Sequence, residues 1–332
     1  EINADCPICS GHESLAVMGS RAASIASVLI GDLFGSSYND DHKLIAFSDS
    51  VQDAAHRAGF FGARTFSQVL RQAMADFVRH EGEGLQLIHF ADELPRYWRK
   101  RCGSDETFVG TFIAPNMEWL QGFRTLREQG SIAPGSDIAD LVAKRLRWEA
   151  LVEFGLRSRI GRTLERTGTA SVALDEPGLK VAAKALGAKL REELGTLKDI
   201  PDEKVESFLL GLLTHARHKG AFYDPVLQSY VREGGNDFLL TQIPFMPGYG
   251  LRTSPPAMLS LRKVSNNFET VLGKDQWYLH WFNKCLAVDQ PLATAEFEQA
   301  YTLTFGVLEQ QGWLLAQTAK QMPVWGLNPA RW

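Results

Sequence analysis

Apolar residues recur at helical spacing over much of the chain. Phe66, Val69, Leu70, Ala73, Met74 and Phe77 predict an amphipathic helix over about residues 65–79. Ile138, Leu141, Val142 and Leu146 predict a second, and Val205, Phe208, Leu209, Leu212 and Leu213 a third. Phe297, Ala300, Tyr301, Phe305 and Leu308 predict a helix that stops at Gly312. Two short apolar runs follow it, Trp313-Leu314-Leu315 and Val324-Trp325-Gly326-Leu327. A helix followed by a small hairpin fits a winged-helix module, and equally a hairpin that caps a helical bundle. Nearer the start, residues 20–34 carry Ile25, Val28 and Leu29 on one helical face. Lys43-Leu44-Ile45-Ala46-Phe47-Ser48 is short, apolar and bounded by turn residues, as a buried strand is, and a helix follows at 51–58. Helix, strand, helix, helix is the grammar of an α/β layer, but one strand makes no sheet. The expected fold is therefore mainly α, with a partial α/β element near the start. Gly- and Pro-rich breaks at 130–135, 195–201 and 244–256 are candidate boundaries.

The 332 residues suffice for two or three compact units, and 45% hydrophobic with 22% charged residues is an ordinary globular balance. A net charge of −4 does not suggest a chain coated in nucleic acid, so any such binding needs a local patch. No run approaches the roughly 20 apolar residues that span a bilayer, and the start lacks a secretory signal pattern. Membrane partners are not expected. Four cysteines make no disulfide scaffold, which points to a reducing, cytoplasmic setting. A start at Glu1 reads as a chain cut from a longer one.

The signatures of common enzymes are missing from the sequence. There is no Gly-x-x-x-x-Gly-Lys-Ser/Thr loop, no Asp-Glu-x-His or Asp-Glu-x-Asp carboxylate pair, no Gly-x-Ser-x-Gly elbow and no His-Glu-x-x-His helix. Cys6 and Cys9 have the spacing of a metal knuckle and could fill two corners of a zinc tetrahedron, with His12 as a candidate third ligand. Incidental surface cysteines and a redox Cys-x-x-Cys are the competing readings. Cys102 and Cys285 are lone, and Cys285 shares an apolar helix face with Trp277 and Trp281, where packing is its expected role. At the entry to the helix at 51–58, Ser48, Asp49, Ser50 and Gln52 could grip one phosphate with the help of the helix dipole. A plain helix cap, with Ser50 as N-cap and Asp53 three positions on, explains the same residues.

The run Lys43-Leu44-Ile45-Ala46-Phe47-Ser48-Asp49-Ser50-Val51-Gln52-Asp53-Ala54-Ala55 resembles the motif IV region of large bacterial DEAD/DEAH-box helicases of superfamily 2, in particular very long ones found with anti-phage defence systems. The upstream Cys6-Pro7-Ile8-Cys9 is similar to a pair common in that family. The likeness is strongest over Cys6 to Phe77. It is weaker at Ile113-Ala114-Pro115-Asn116-Met117-Glu118-Trp119-Leu120, from Leu146 to Gly168 and at Trp325-Gly326-Leu327-Asn328-Pro329. It implies an internal piece of a helicase, with residues 1–83 as part of a second RecA-like lobe, 84–200 as a helical insertion, and 201–332 as a helical domain ending in a winged-helix-like hairpin. ATP and magnesium would then belong to the parent protein, since the Walker loop, the DExH box and the arginine finger lie outside this sequence. The implied partners are DNA or RNA, the rest of the parent chain, and a defence-system protein.

Two basic stretches fit that expectation. Arg96-Tyr97-Trp98-Arg99-Lys100-Arg101 interleaves cations with aromatics, as a strand-binding surface does, which nominates Arg99 and Arg101. From Lys144 to Arg166 seven basic residues face three acidic ones, which nominates Arg157, Arg159 and Arg162. Solvated helix faces carry arginine for no such purpose. The expected function is a non-catalytic segment of an ATP-driven helicase or translocase that contributes nucleic-acid backbone contacts. The alternative is a protein-interaction or scaffold module that binds no nucleic acid.

Overall fold

The computed structural model describes residues 65–156, 163–228, 231, 257–265, 268–273, 276–286 and 293–332. The chain forms two compact units, Glu1–Gln68 with Tyr249–Leu251, and Val69–Gly248 with Arg252–Trp332. Nearly all described residues belong to the second. The expected helix at 20–34, strand at 43–48 and helix at 51–58 lie outside the described residues.

Among the described residues the architecture is mainly helical with a small mixed sheet. Helix α1 covers 65–77 and runs into a π turn, Val78–Gly82. Next come α2 (Leu87–Cys102), α3 (Asp105–Phe112), α4 (Gln121–Gln129), α5 (Ile138–Phe154), α6 (Glu176–Glu193) and α7 (Asp202–His218). Strands β1 (Leu259–Ser260) and β2 (Glu269–Thr270) precede α8 (Gln276–Leu286) and α9 (Thr294–Gln310). The hairpin β3 (Leu314–Ala319) and β4 (Met322–Leu327) closes the series.

Local chemistry sets the helix ends. Ser104 caps α3 by accepting from the Thr107 N–H, and Asp105 and Glu106 in its first turn complement the dipole. α2 stops where Gly103 turns left-handed, and Gly312 does the same after α9. Asp175 caps α6 through the Gly178 N–H and also holds Arg331 at 2.7 Å.

Packing follows the apolar stripes read from the sequence. Leu70, Ala73, Met74 and Phe77 of α1 are buried, and the Phe77 ring meets Phe90 and Tyr97 of α2, each at 5.1 Å. Phe90 meets Phe154 of α5 edge-on at 5.6 Å. Val205, Phe208, Leu209, Leu212 and Leu213 of α7 are all buried, and α7 packs on α6 across the connection at 195–201 and on α8. Phe208 meets Phe282 of α8 and Tyr301 of α9 edge-on. A further core of Trp148, Val152, Leu227, Met258, Ala319 and Val324 joins α5 to the sheet.

The close fit of α8 on α7 depends on Gly211. A Cβ there would fall inside the Trp281 indole, 2.6 Å from its Nε1. That ring is fixed, because its N–H donates to the Phe208 carbonyl at 3.0 Å and its face lies parallel to Trp277 at 5.8 Å.

The sheet order is β2-β1-β4-β3, with β1 parallel to β2 and antiparallel to β4. In the hairpin Leu314 faces Leu327 and Ala319 faces Met322, so a two-residue turn, Lys320-Gln321, joins the strands. Both turn residues have positive φ, 48° and 63°. That is the mirror-image turn whose twist matches the strands, built here without glycine.

Candidate functional site

The predicted residues divide by position. Cys6, Cys9, His12, Ser48, Asp49, Ser50, Gln52, Arg157, Arg159 and Arg162 lie outside the described residues. Arg99 and Arg101 lie on the last turn of α2, where cations also complement the helix dipole.

Arg99 grips both Asp105 oxygens at 2.6 Å and reaches Asp140 at 2.9 Å, fastening α2 to the starts of α3 and α5. Those two carboxylates raise the guanidinium pKa, and the hydrogen bond from Arg99 lowers that of Asp105. Arg101 lies 5.7 Å from the centres of both the Tyr97 and Trp98 rings and donates to the Tyr97 hydroxyl at 2.9 Å. The rings beneath it are occupied on the protein side, Tyr97 by Phe77 and Trp98 by Phe112, with the Trp98 N–H on the Ala73 carbonyl. Arg96 pairs with Glu93 at 2.6 Å. Lys100 is exposed. The stretch is a charged helix end with its aromatics packed inward.

The Asp105–Arg99 pair has a pH signature. A carboxyl pKa below its unfolded value means that the folded chain binds fewer protons, so the pair contributes fully above about pH 4 and is lost as pH falls through the lowered value. Asp105→Asn should therefore reduce the loss of stability between neutral and acid urea titrations. The change should be small, because both side chains are about 40% exposed. An acid limb identical to wild type would show that the pair contributes nothing.

The basic stretch from Lys144 to Arg166 is not one surface. Arg145 is buried, with Glu149 at 2.7 Å and the Asn116 side-chain oxygen at 3.1 Å. Arg147 bridges Asp92 of α2 and Asp224, which precedes a 3-10 turn at Pro225–Leu227. These two cations act inside the fold as ties between elements.

A different basic cluster arises from strand register. Leu259 faces Trp325 across the antiparallel β1 and β4, so the chain leaving β1 runs toward the hairpin-turn end, where Leu261 and Arg262 line one pocket with Met322 and Pro323 and Lys263 follows. Lys320 in the turn is at that end too, and all three cations are exposed. Beside them lies an open pocket of about 210 Å³. Leu261, Leu272, Met322 and Pro323 supply its apolar walls, and Arg262, Glu298 and Thr302 its polar rim. The Arg262 guanidinium sits 3.4 Å from Glu298, and its side chain is 72% exposed. A long, solvated pair of this kind opens at little cost. Sequence reading missed this site because Arg262-Lys263 and Lys320 are distant along the chain, and only the pairing of β1 with β4 unites them.

A second polar centre lies on the opposite edge strand. Glu269 of β2 accepts from the Tyr278 hydroxyl at 3.3 Å and pairs with Lys219 at 3.2 Å, with His215 at 3.8 Å. The nearby His215 and Lys219 side chains hold its carboxyl below the usual range against the effect of burial. His215 stacks on Trp277 at 3.6 Å. This centre ties the short β2 to α7 and α8. Among the described residues no group of three or more histidine, cysteine or carboxylate side chains is arranged to hold a metal. No described helix is long and apolar enough to cross a membrane. No protein-family model, no curated protein and no solved structure matches this chain.

Proposed function

We propose that this chain is a non-catalytic segment of an ATP-dependent nucleic-acid helicase or translocase, and that it contributes sequence-tolerant backbone contacts. The observation that carries this reading is the exposed trio Arg262, Lys263 and Lys320, gathered at the turn end of a hairpin that follows two helices. The order α7, β1, β2, α8, α9, β3, β4, with β1 against β4 and β4 against β3, supports a winged-helix reading in which the parallel strand β2 is an addition. In that arrangement the hairpin forms a wing that lies on nucleic acid. The resemblance of residues 43–55 to motif IV supports the motor context, and ATP and magnesium would act in the rest of such a protein.

A docking reading has its own support. α9, which occupies the place of the groove-reading helix, carries Glu296, Glu298 and Glu309 and no lysine or arginine. A helix of that charge repels phosphate, so contact would fall to the wing, or α9 would face a protein instead.

The test is binding of the chain to a labelled single strand over a salt series. Binding should be weak and should fall steeply with salt, because each phosphate contact releases about 0.7 counterion from a single strand. Charge reversal at all three positions (R262E/K263E/K320E) should weaken it and flatten the slope, while Arg99→Gln should leave it alone. Equal affinity and slope for wild type and the triple variant would remove the wing from nucleic acid and leave the docking reading.

A further inference from the structure

We propose that the pocket beside the wing receives one unpaired nucleobase bearing an exocyclic amine, while Arg262, Lys263 and Lys320 hold the flanking phosphates. This rests on the nucleic-acid reading above and names the part of the ligand that the pocket takes. Three observations carry it.

The first is size. About 210 Å³ lies below the roughly 300–1,000 Å³ of sites for drug-sized ligands, leaving room for one ring system but not for a whole nucleotide. The second is the lining. Leu261, Leu272, Met322 and Pro323 present apolar side chains against which a planar ring can lie, and extruded bases are held by apolar or aromatic side chains. The third is the polar rim. Glu298 is acceptor-only when ionised, so it suits the exocyclic amine of cytosine, adenine or guanine, whereas thymine and uracil offer it one N3–H set between two carbonyl oxygens that it repels. Thr302 Oγ donates to the Glu298 carbonyl at 2.8 Å and keeps its lone pairs for the ring edge. Arg262, freed from Glu298 when the base enters, turns to the phosphate that follows it.

A duplex would not serve, because its amines are paired and its bases stacked. The pocket therefore selects single strands by requiring a base that is already free.

The experiment compares three probes of equal length on the intact chain: an oligo-dC strand, an oligo-dT strand and a fully abasic strand. Three variants accompany wild type, the triple charge reversal and two changes at the pocket. Thr302→Met fills the mouth from an exposed helix position, and Glu298→Gln keeps the size while adding an amide donor. Wild type should bind oligo-dC about tenfold tighter than the abasic strand, the scale of one base held by stacking. Thr302→Met should reduce oligo-dC to the abasic level with an unchanged melting temperature. Glu298→Gln should erase the preference for dC over dT. Equal binding of all three probes, with the triple charge reversal still weakening each of them, would overturn the pocket and keep the wing contact. Failure of the triple reversal to weaken any probe, or no binding of any strand, would overturn both.

Discussion

Arg147→Met should lower the unfolding free energy by about 3 kcal/mol, the low end for removing one partner of a buried ion pair, since a quarter of Arg147 is exposed. The loss follows from Asp224, whose side chain is 2% exposed and whose Oδ2 takes two guanidinium nitrogens at 2.7 and 2.8 Å. Its other oxygen is committed to the Val226 N–H at 3.0 Å. Without Arg147 a buried carboxylate loses its compensating cation, and α5 is no longer tied to α2 through Asp92. Asp224→Asn added to Arg147→Met removes the charge, keeps the Val226 acceptor, and should recover part of the stability. Urea midpoints of the two variants check this. A double variant no more stable than Arg147→Met would show that packing around Arg147, rather than charge, sets the cost.

Gly211→Ala should cost about 2 kcal/mol, although the same exchange in an open helix stabilises. Replacing glycine in a helix interior gains up to about 1 kcal/mol of backbone propensity. Overpacking of a filled interface costs about 1–3 kcal/mol. At Gly211 the second term wins, because the new methyl would occupy the Trp281 indole, and that ring cannot swing away without breaking its bond to the Phe208 carbonyl and its stack on Trp277. Gly306 on α9 has open space where its Cβ would go, so Gly306→Ala should stabilise by up to about 1 kcal/mol. Thermal melts of the two variants should shift in opposite directions. A stabilised Gly211→Ala would mean that the α7–α8 contact is looser than the geometry shows.

The helices were legible wherever one apolar face repeats over several turns. α5, α7 and α9 lie on the stripes of Ile138 to Leu146, Val205 to Leu213 and Phe297 to Leu308, and the hairpin falls on the two apolar runs beyond Gly312. β1 and β2 were not, since two residues each are too short for alternation to register, and they exist through pairing with β4 and with each other. Charge was less legible than apolarity. Arg99 reads as a free cation until Asp105 and Asp140 arrive from two other helices, and Arg145 and Arg147 read as a basic face until the fold turns them inward. Arg262, Lys263 and Lys320 show the converse: nothing local connects them, and a strand register does.

The turn Lys320-Gln321 carries a consequence for how this chain can vary. Each left-handed non-glycine residue costs about 1–2 kcal/mol, and Asn-Gly would build the same turn more cheaply. Drift under selection for folding alone runs toward that cheaper pair. A lineage that keeps a long cation and an amide here retains them against this drift, so among divergent copies the identity of these two positions is a record of use. Copies whose hairpin has relaxed to Asn-Gly would be those in which the tip no longer meets anything.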